Sequence, residues 1–228
     1  MRPIIYSFPT MAANEICATQ TTTATSQALT LNGSSSDIAI KEHAGYVGMA
    51  VLPGVQRPMM INSTGNISTS TFTFVGVDIR GVALTTFISG PTGTAVPVKT
   101  VAEFHEVTSI TAGALATSNF TVGFGPSGST NWVLGDTYKN PFEMTISVVT
   151  TTGTPITVQE TAVDANVTDP PAAQIFNHST LDTVTVSALG YSDDPLNYTR
   201  AICLATLNTA SSAKAAGEPI ITFIQAGG

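Results

Sequence analysis

Residues 71–91, TFTFVGVDIRGVALTTFISGP, and residues 96–110, VPVKTVAEFHEVTSI, decide the fold class of this chain. Over much of their length, apolar and polar side chains alternate, as around Phe72, Phe74 and Phe87. Successive side chains of a strand point to opposite faces, so this alternation predicts strands with one buried face. Glycines and a proline punctuate the runs and indicate turns and bulges rather than helix: Gly76, Gly81, Gly90, Pro91 and Gly93. We expect a β scaffold here, extended by FTVGFG at residues 120–125, and no active site within it.

The composition supports the same fold class and limits the functions open to the chain. Only 10% of the 228 residues are charged, against about 25% in a typical domain. Abundant Thr and Val favour sheet over helix. The net charge of −7 and scattered basic residues oppose binding to nucleic acid or to anionic membranes. No apolar run is long enough for a membrane helix, and so uncharged a surface favours coverage by neighbouring subunits.

Three regions are predicted from changes in composition along the chain. Residues 1–26 include a low-complexity stretch with little to bury, and they predict an extended N-terminal arm. The glycine- and proline-rich segment GPSGSTN predicts a boundary that separates a domain at 27–127 from a second at 128–228. Short strands at regular spacing in both halves predict an all-β protein with two β-sandwich domains, jelly-roll-like or Ig-like.

Individual strands can also be assigned from the pattern. We expect residues 96–110 to form one long strand and residues 57–63 to form another, which the chain enters through Pro58 at its edge. Further strands are predicted at these places: LTLNG at 29–33, a hairpin of Met144–Thr150 with Ile156–Thr161, a short strand within 182–190, and a closing pair at 200–208 and 219–227. Residues 45–54 fit either a strand or an insertion. Cys17 and Cys203 are expected to be free thiols, although one long-range disulfide also fits the sequence.

No residue pattern indicates catalysis, a metal site or a cofactor. The three histidines, His43, His105 and His178, are far apart in sequence, and no CxxC pair occurs. Glu103 and Glu106, three apart on a predicted strand, would face opposite sides and make no catalytic pair. The paired Asp193 and Asp194 precede Pro195 and fit a turn better than a cation site. The nucleophile elbow of serine hydrolases is also absent, so a non-enzymatic protein is predicted.

The order of several segments resembles a module found in tailed-bacteriophage virion proteins. These segments are FTFVGVDIRGVALTTFISGP, TVGFG, TISVVTTTGTPITVQETAVDANVTDPP, IFNHSTL, PLNYTRAICLATLN and ITFIQAGG, between residues 29 and 228. The resemblance implies a structural protein made in the host cytoplasm and carried in the virion. It further implies symmetric, homo-oligomeric binding to capsid, portal, neck or tail subunits, as a decoration or head–tail accessory protein. No catalytic residue comes with it.

Candidate partner contacts follow from apolar side chains that lack an obvious local partner. They come from the arm, from the insertion within residues 36–60 and from the domain boundary: Ile4, Ile5, Tyr6, Phe8, Tyr46, Met49, Trp132 and Tyr138. Two alternatives stay open at this point. A trimeric tail fibre or appendage that contacts the host would have similar Thr- and Ser-rich β structure, and a carbohydrate-binding module or adhesin would use exposed aromatics such as Trp132.

Overall fold

The structure, a computed structural model, is β throughout the part of the chain that it describes. The described residues are 3–8, 14, 16–32, 54–94, 96–125, 127–135, 143–150, 154–165, 170–192, 198–203 and 219–225. Within them the only helical element is a single 3₁₀ turn at Ala172–Gln174. The prediction of an all-β protein is confirmed, because the strands pair into several antiparallel sheets.

Seventeen strands lie within the described residues. In chain order they are β1 Ile4–Ser7, β2 Cys17–Gln20, β3 Gln27–Ala28, β4 Val55–Ser63, β5 Thr71–Val77, β6 Ala83–Ser89, β7 Val98–Phe104, β8 Glu106–Ala112, β9 Phe120–Phe124, β10 Gly128–Thr130, β11 Val133–Leu134, β12 Met144–Val149, β13 Ile156–Thr161, β14 Phe176–Asn177, β15 Ala188–Ser192, β16 Tyr198–Cys203 and β17 Ile220–Gln225. They fall into two compact units. The amino-half unit holds the described residues from 14 to 127, and the carboxy-half unit holds residues 3–8 and those from 128 onward.

The amino-half unit is built from two antiparallel groups of strands around one core. One sheet has the order β3-β8-β5-β6, and in the other β4 pairs with β7 and β9 while β9 pairs with β2. Both contribute to the core, where the rings of Phe72 from β5 and Phe120 from β9 meet edge-on with centroids 5.2 Å apart. Burial of such aromatic rings is the main favourable term in a β core.

Pro58 lies inside β4, which begins at Val55, so the prediction that the chain enters this strand at Pro58 is wrong. β4 is paired on both sides, with β7 and with β9. The pairing with β7 is irregular between Pro58 and Met60, and such an irregularity accommodates a residue that has no N–H for the ladder. The carbonyl of Pro58 still accepts a hydrogen bond from the Gly125 N–H at 2.6 Å.

The run at residues 96–110 is two strands, because the chain passes from one sheet to the other at His105. β7 ends at Phe104 and pairs with β4, whereas β8 begins at Glu106 and pairs with β5 and β3. His105 is held at this corner by its backbone N–H, which donates to the Val77 carbonyl at 2.9 Å. The prediction of one continuous strand is therefore wrong, since alternation alone cannot show a change of sheet.

Four other strand predictions miss the observed pairing or bounds. β12 and β13 do not form a hairpin: β12 pairs with β15 and β17, and β13 pairs with β14 and β16. Likewise β16 and β17 are not partners, because β17 pairs with β1 and β12. The predicted strand at 29–33 is replaced by β3, after which Leu29 N–H still donates to the Ile110 carbonyl at 2.9 Å. The strand expected within 182–190 is β15, which begins only at Ala188.

The carboxy-half unit contains two antiparallel sheets. One has the order β1-β17-β12-β15; in the other, β16 lies between β13 and β10, with β14 beside β13 and β11 also paired to β16. β1 is thus an ordinary strand that pairs Ile4 with Phe223 and Ser7 with Ile220. The predicted arm over residues 1–26 is not confirmed, because the backbone of residues 4–7 and 17–20 is paired within the chain's own sheets.

The tight turn between β5 and β6 depends on the carboxylate of Asp78. Oδ1 accepts hydrogen bonds from the backbone N–H groups of Arg80 at 2.9 Å and Val82 at 2.8 Å. Oδ2 accepts from Arg80 Nε at 3.1 Å and Nη2 at 2.8 Å. Gly81 adopts a left-handed φ of +78°, which glycine reaches without the steric cost of a Cβ. Residue choice at both positions therefore fixes the β5–β6 hairpin.

Replacing Asp78 with alanine should lower the free energy of unfolding by about 2–3 kcal/mol, because it removes a buried acceptor that satisfies several donors. Asp78→Asn keeps the Oδ1 acceptor and loses the ion pair, so its cost should lie between that of alanine and zero. Urea denaturation followed by circular dichroism measures both. Equal stability of Asp78→Ala and wild type would contradict this account of the turn.

Cys17 is a buried, free thiol at the start of β2, as predicted. Its Sγ donates to the Thr30 carbonyl at 3.0 Å and accepts from Gln20 Nε2 at 2.7 Å. Burial raises the pKa of the Cys17 thiol from 9.0 to about 12, with the Gln20 hydrogen bond acting in the opposite direction. The folded chain therefore holds this thiol protonated at pH values where the unfolded chain ionises it.

This shift predicts a loss of stability at alkaline pH. The folded pKa lies above the unfolded value, so the contribution is fully present below pH 9 and is lost as pH rises toward 12. The free energy of unfolding should fall by up to about 1.4 kcal/mol per pH unit in that window. Denaturation curves at several pH values should show that the free energy of unfolding falls less steeply with pH for Cys17→Ala than for wild type. Identical slopes would contradict the prediction.

Candidate interaction surface

One face of the sheet β1-β17-β12-β15 is exposed and apolar. The opposite, inner face is buried and carries Ile146, Val148, Ile221 and Phe223. Since side chains alternate along each strand, their neighbours in sequence form the other side. We call this side the uncharged face and define it by six apolar residues with three hydroxyl residues between them: Ile5, Val149, Leu189, Tyr191, Ile220 and Ile224, with Thr145, Ser147 and Thr222.

The strand register places these residues in rows across the sheet. Thr145 lies between Tyr191 and Ile224 in one row. Ser147 lies between Leu189 and Thr222 in the next, which continues to Ile5 on β1. Val149 lies opposite Ile220 in a third row. The apolar residues therefore lie on both sides of a central column of hydroxyl residues, Thr145, Ser147 and Thr222, and all of them belong to the same uncharged face.

The exposure and the lack of charge distinguish this patch from ordinary protein surface. Leu189 is 57% exposed and Tyr191 is 59% exposed, and Val149, Ile220 and Ile224 are also exposed. None of the residues in β1, β12, β15 or β17 carries a charge. Exposed apolar patches of a few hundred Å² are often functional. With strands about 4.8 Å apart, the patch covers roughly 300 Å², less than the ~800 Å² per partner of a standard interface.

The four contact candidates predicted near the N-terminus, Ile4, Ile5, Tyr6 and Phe8, do not all lie on the same side of this sheet. Tyr6 and Phe8 are buried in their own unit, and the Tyr6 ring meets Phe223 edge-on with centroids 6.0 Å apart. Burial also raises the pKa of Tyr6. The expectation that nothing local covers these two side chains is wrong, because β1 pairs with β17. Ile4 is half-buried opposite Phe223, and only Ile5 belongs to the uncharged face.

Trp132 is also a core residue of its unit rather than a surface contact. It is 6% exposed and packs with Ala165, Tyr198 and Ile175. The guanidinium of Arg200 lies over the ring, 4.5 Å from its centroid, in a cation–π arrangement. A sugar cannot stack on a ring that is already covered, so Trp132 is not the exposed platform expected of a carbohydrate-binding site. Tyr46, Met49 and Tyr138 lie outside the described residues.

Sequence reasoning missed the largest members of the uncharged face. Leu189, Tyr191, Val149, Ile220 and Ile224 were within or near predicted strands but were not identified as contacts. A usable signal was present in β17, where Ile220 and Ile224 alternate with the equally apolar Ile221 and Phe223. A strand that is apolar on both faces requires cover on both faces, and only one of them is covered by its own unit.

Metal ligands and membrane-spanning helices were both sought among the residues that the structure describes. Among those residues no three His, Cys, Asp or Glu side chains lie together so as to hold a metal ion. The same residues include no helix that is long and apolar enough to cross a membrane. His178 is buried, and its Nδ1 accepts a hydrogen bond from the Thr180 N–H at 3.2 Å. His43 is outside the described residues.

Comparison with known proteins gives no identification. No protein-family model matches the chain, and no curated protein shows significant similarity to it.

Proposed function

We propose that this chain is a non-enzymatic structural protein of a tailed-bacteriophage particle, carried in the virion and made in the host cytoplasm. It binds symmetrically to neighbouring capsid, portal, neck or tail subunits as a decoration or head–tail accessory protein. In this proposal each unit is a β-sandwich domain of the jelly-roll-like or Ig-like kind. The sequence resemblance to such virion proteins supplies the identity of the partners.

The observation that carries the proposal is the uncharged face. An apolar patch on a chain with a net charge of −7 favours a protein partner over an anionic membrane or nucleic acid. Because the patch alone is smaller than a standard interface, its binding energy becomes useful where several contacts act together. A closed, symmetric particle provides that condition, since each weak contact is repeated in every copy.

A trimeric tail fibre is the second candidate, and the same patch fits it. The two candidates differ in oligomeric state, because a fibre trimer resists dissociation while a decoration protein is recruited to a particle. An adhesin that stacks a sugar on Trp132 is not supported, since this ring is buried.

The double substitution Leu189→Lys and Tyr191→Lys should reduce incorporation into particles at least roughly tenfold, because it places charges in a desolvated contact. The variants would be supplied in trans to a phage lacking the gene, and the chain counted per purified particle by mass spectrometry. Val101→Lys is the matched control, since Val101 is 99% exposed and lies on another sheet. Absence of the wild-type chain from purified particles would overturn the proposal.

A further inference from the structure

β1 joins its sheet as a strand from the opposite end of the chain. It forms an edge of the sheet β1-β17-β12-β15 and pairs with β17 over Ile4–Ser7. The Phe8 N–H extends this pairing and donates to the Pro219 carbonyl at 3.0 Å. Among the described strands, β17 is the only one to which β1 is paired. The backbone of β1 is therefore held by one neighbouring strand.

The side chains of β1 fill a groove beside β17. Tyr6 is 7% exposed and Phe8 is 3% exposed. Ile221 lies opposite Tyr6, Pro219 accepts the hydrogen bond from Phe8, and the Phe223 ring meets Tyr6 edge-on. We call this place the β1 groove and define it by Pro219, Ile221 and Phe223. Backbone bonds combined with buried side chains at alternate positions are how a sheet binds an added strand.

The covalent path from β1 to the rest of its unit is unusually long. The described residues from 14 to 127, which follow β1 in the chain, belong to the amino-half unit. The next described strand of the carboxy-half unit is β10, which begins at Gly128. The carboxy-half unit therefore holds β1 through non-covalent contacts. β1 of a second copy would make the same contacts in the same groove, because the two sequences are identical.

We propose that β1 is exchanged between two copies of this chain, so that β1 of each copy fills the β1 groove of the other. The hydrogen bonds and buried contacts of β1 are retained in the exchange, which makes domain swapping a low-cost route to a dimer. The uncharged face of each copy is then completed by Ile5 of the other copy. The inference does not depend on the proposed virion function.

The chemistry of the β1 groove favours β1 of a second copy over an unrelated segment. An occupant needs apolar side chains at three alternate positions, as β1 has in Ile4, Tyr6 and Phe8. Each copy carries a net charge of −7, yet neither β1 nor β17 carries a charge. Two copies therefore meet at this strand pair without placing like charges opposite each other.

Exchange should depend on the concentration of the protein. A strand that stays within its own chain competes at an effective concentration, which is on the order of millimolar for a short flexible linker. A dilute chain should therefore keep its own β1. Copies that are crowded together in an assembly should exchange it.

Two cysteines placed across the β1–β17 pair report which copy supplies β1. Ile5 and Thr222 lie directly opposite each other. Since Phe8 and Pro219 are a bonded pair, Ile5 and Thr222 are a non-bonded pair, in which the backbones approach closely enough for a disulfide. In a full chain carrying Ile5→Cys and Thr222→Cys, a retained β1 should give an internal disulfide. An exchanged β1 should give a dimer linked by two disulfides.

The fraction of linked dimer on a non-reducing gel is the measurement. It should rise at least roughly tenfold between micromolar and millimolar protein. The matched control is Ile5→Cys with Thr145→Cys, because Thr145 belongs to the same face but β17 separates β12 from β1. Any dimer in the control measures random collision and linkage through the native cysteines. Circular dichroism spectra that match wild type show that both variants are folded.

Mixed single variants test the exchange without an internal alternative. An isotopically labelled Ile5→Cys chain and an unlabelled Thr222→Cys chain are refolded together from urea at millimolar concentration and then oxidised. Mass spectrometry should find the labelled peptide that contains position 5 joined to the unlabelled peptide that contains position 222.

An internal disulfide alone at every concentration, with no link between the mixed chains, would overturn the proposal. A double variant that forms no disulfide at all would also overturn it, because β1 would then not fill the β1 groove. Linkage in solution without incorporation into particles would contradict the virion proposal alone, so the two proposals fail separately.

Discussion

Replacing Gly76 with alanine is expected to lower the free energy of unfolding by about 4 kcal/mol or more, or to prevent folding. A Cβ built on Gly76 would overlap the backbone oxygen of Glu106 on β8. Backbone cannot move aside as a flexible side chain can, so β5 and β8 must separate. The close approach arises where their register shifts between Val75 and Gly76, which is a common place for glycine in a sheet.

Gly93→Ala is the matched control, because a Cβ at Gly93 meets no atom within 4 Å. It should change the free energy of unfolding by less than about 1 kcal/mol, in either direction. Both variants can be compared by thermal and urea denaturation of the full chain. A Gly76→Ala variant as stable as the control would show that β5 and β8 are not packed as described.

Replacing Phe72 with alanine is expected to cost about 3–5 kcal/mol, the usual range for a fully buried aromatic ring. Phe72 is fully buried, and its ring meets Phe120 across the core. Deleting the ring removes contacts with both sheets of the amino-half unit and leaves a cavity that rigid strands cannot fill.

A Phe→Ala substitution at an exposed site should not lower the free energy of unfolding by a comparable amount. Phe176 is 55% exposed, so Phe176→Ala should cost less than about 1 kcal/mol. Urea denaturation monitored by circular dichroism would measure both variants. Similar costs for Phe72→Ala and Phe176→Ala would contradict the burial assigned to Phe72.

The sequence predicts where strands form more reliably than which strands pair. β5, β6 and β9 follow from local alternation and turn residues, and all three are found close to their predicted positions. The β12–β13 hairpin fails because two strands joined by a short connection can belong to different sheets. That choice is made by packing of both strands against distant parts of the chain, which a local pattern does not contain.

The uncharged face was only partly accessible from sequence for a related reason. Ile5 was identified as an unpartnered apolar residue, and its neighbours Tyr6 and Phe8 were assigned the same role although they are buried. Which side of β1 is covered depends on its pairing with β17. Residues such as Tyr191 and Ile224 become one surface only when four strands from opposite ends of the chain lie side by side.

The pairing of β1 with β17 has a consequence for biosynthesis. The ribosome makes β1 first and β17 last, so at ordinary elongation rates the two strands are separated by on the order of ten seconds or more. During that interval Tyr6 and Phe8 have no groove to occupy, and the sheet they complete cannot close. Nascent chains that are stalled before Ile220 should therefore bind chaperones near β1. The chaperones should dissociate when β17 emerges from the ribosome.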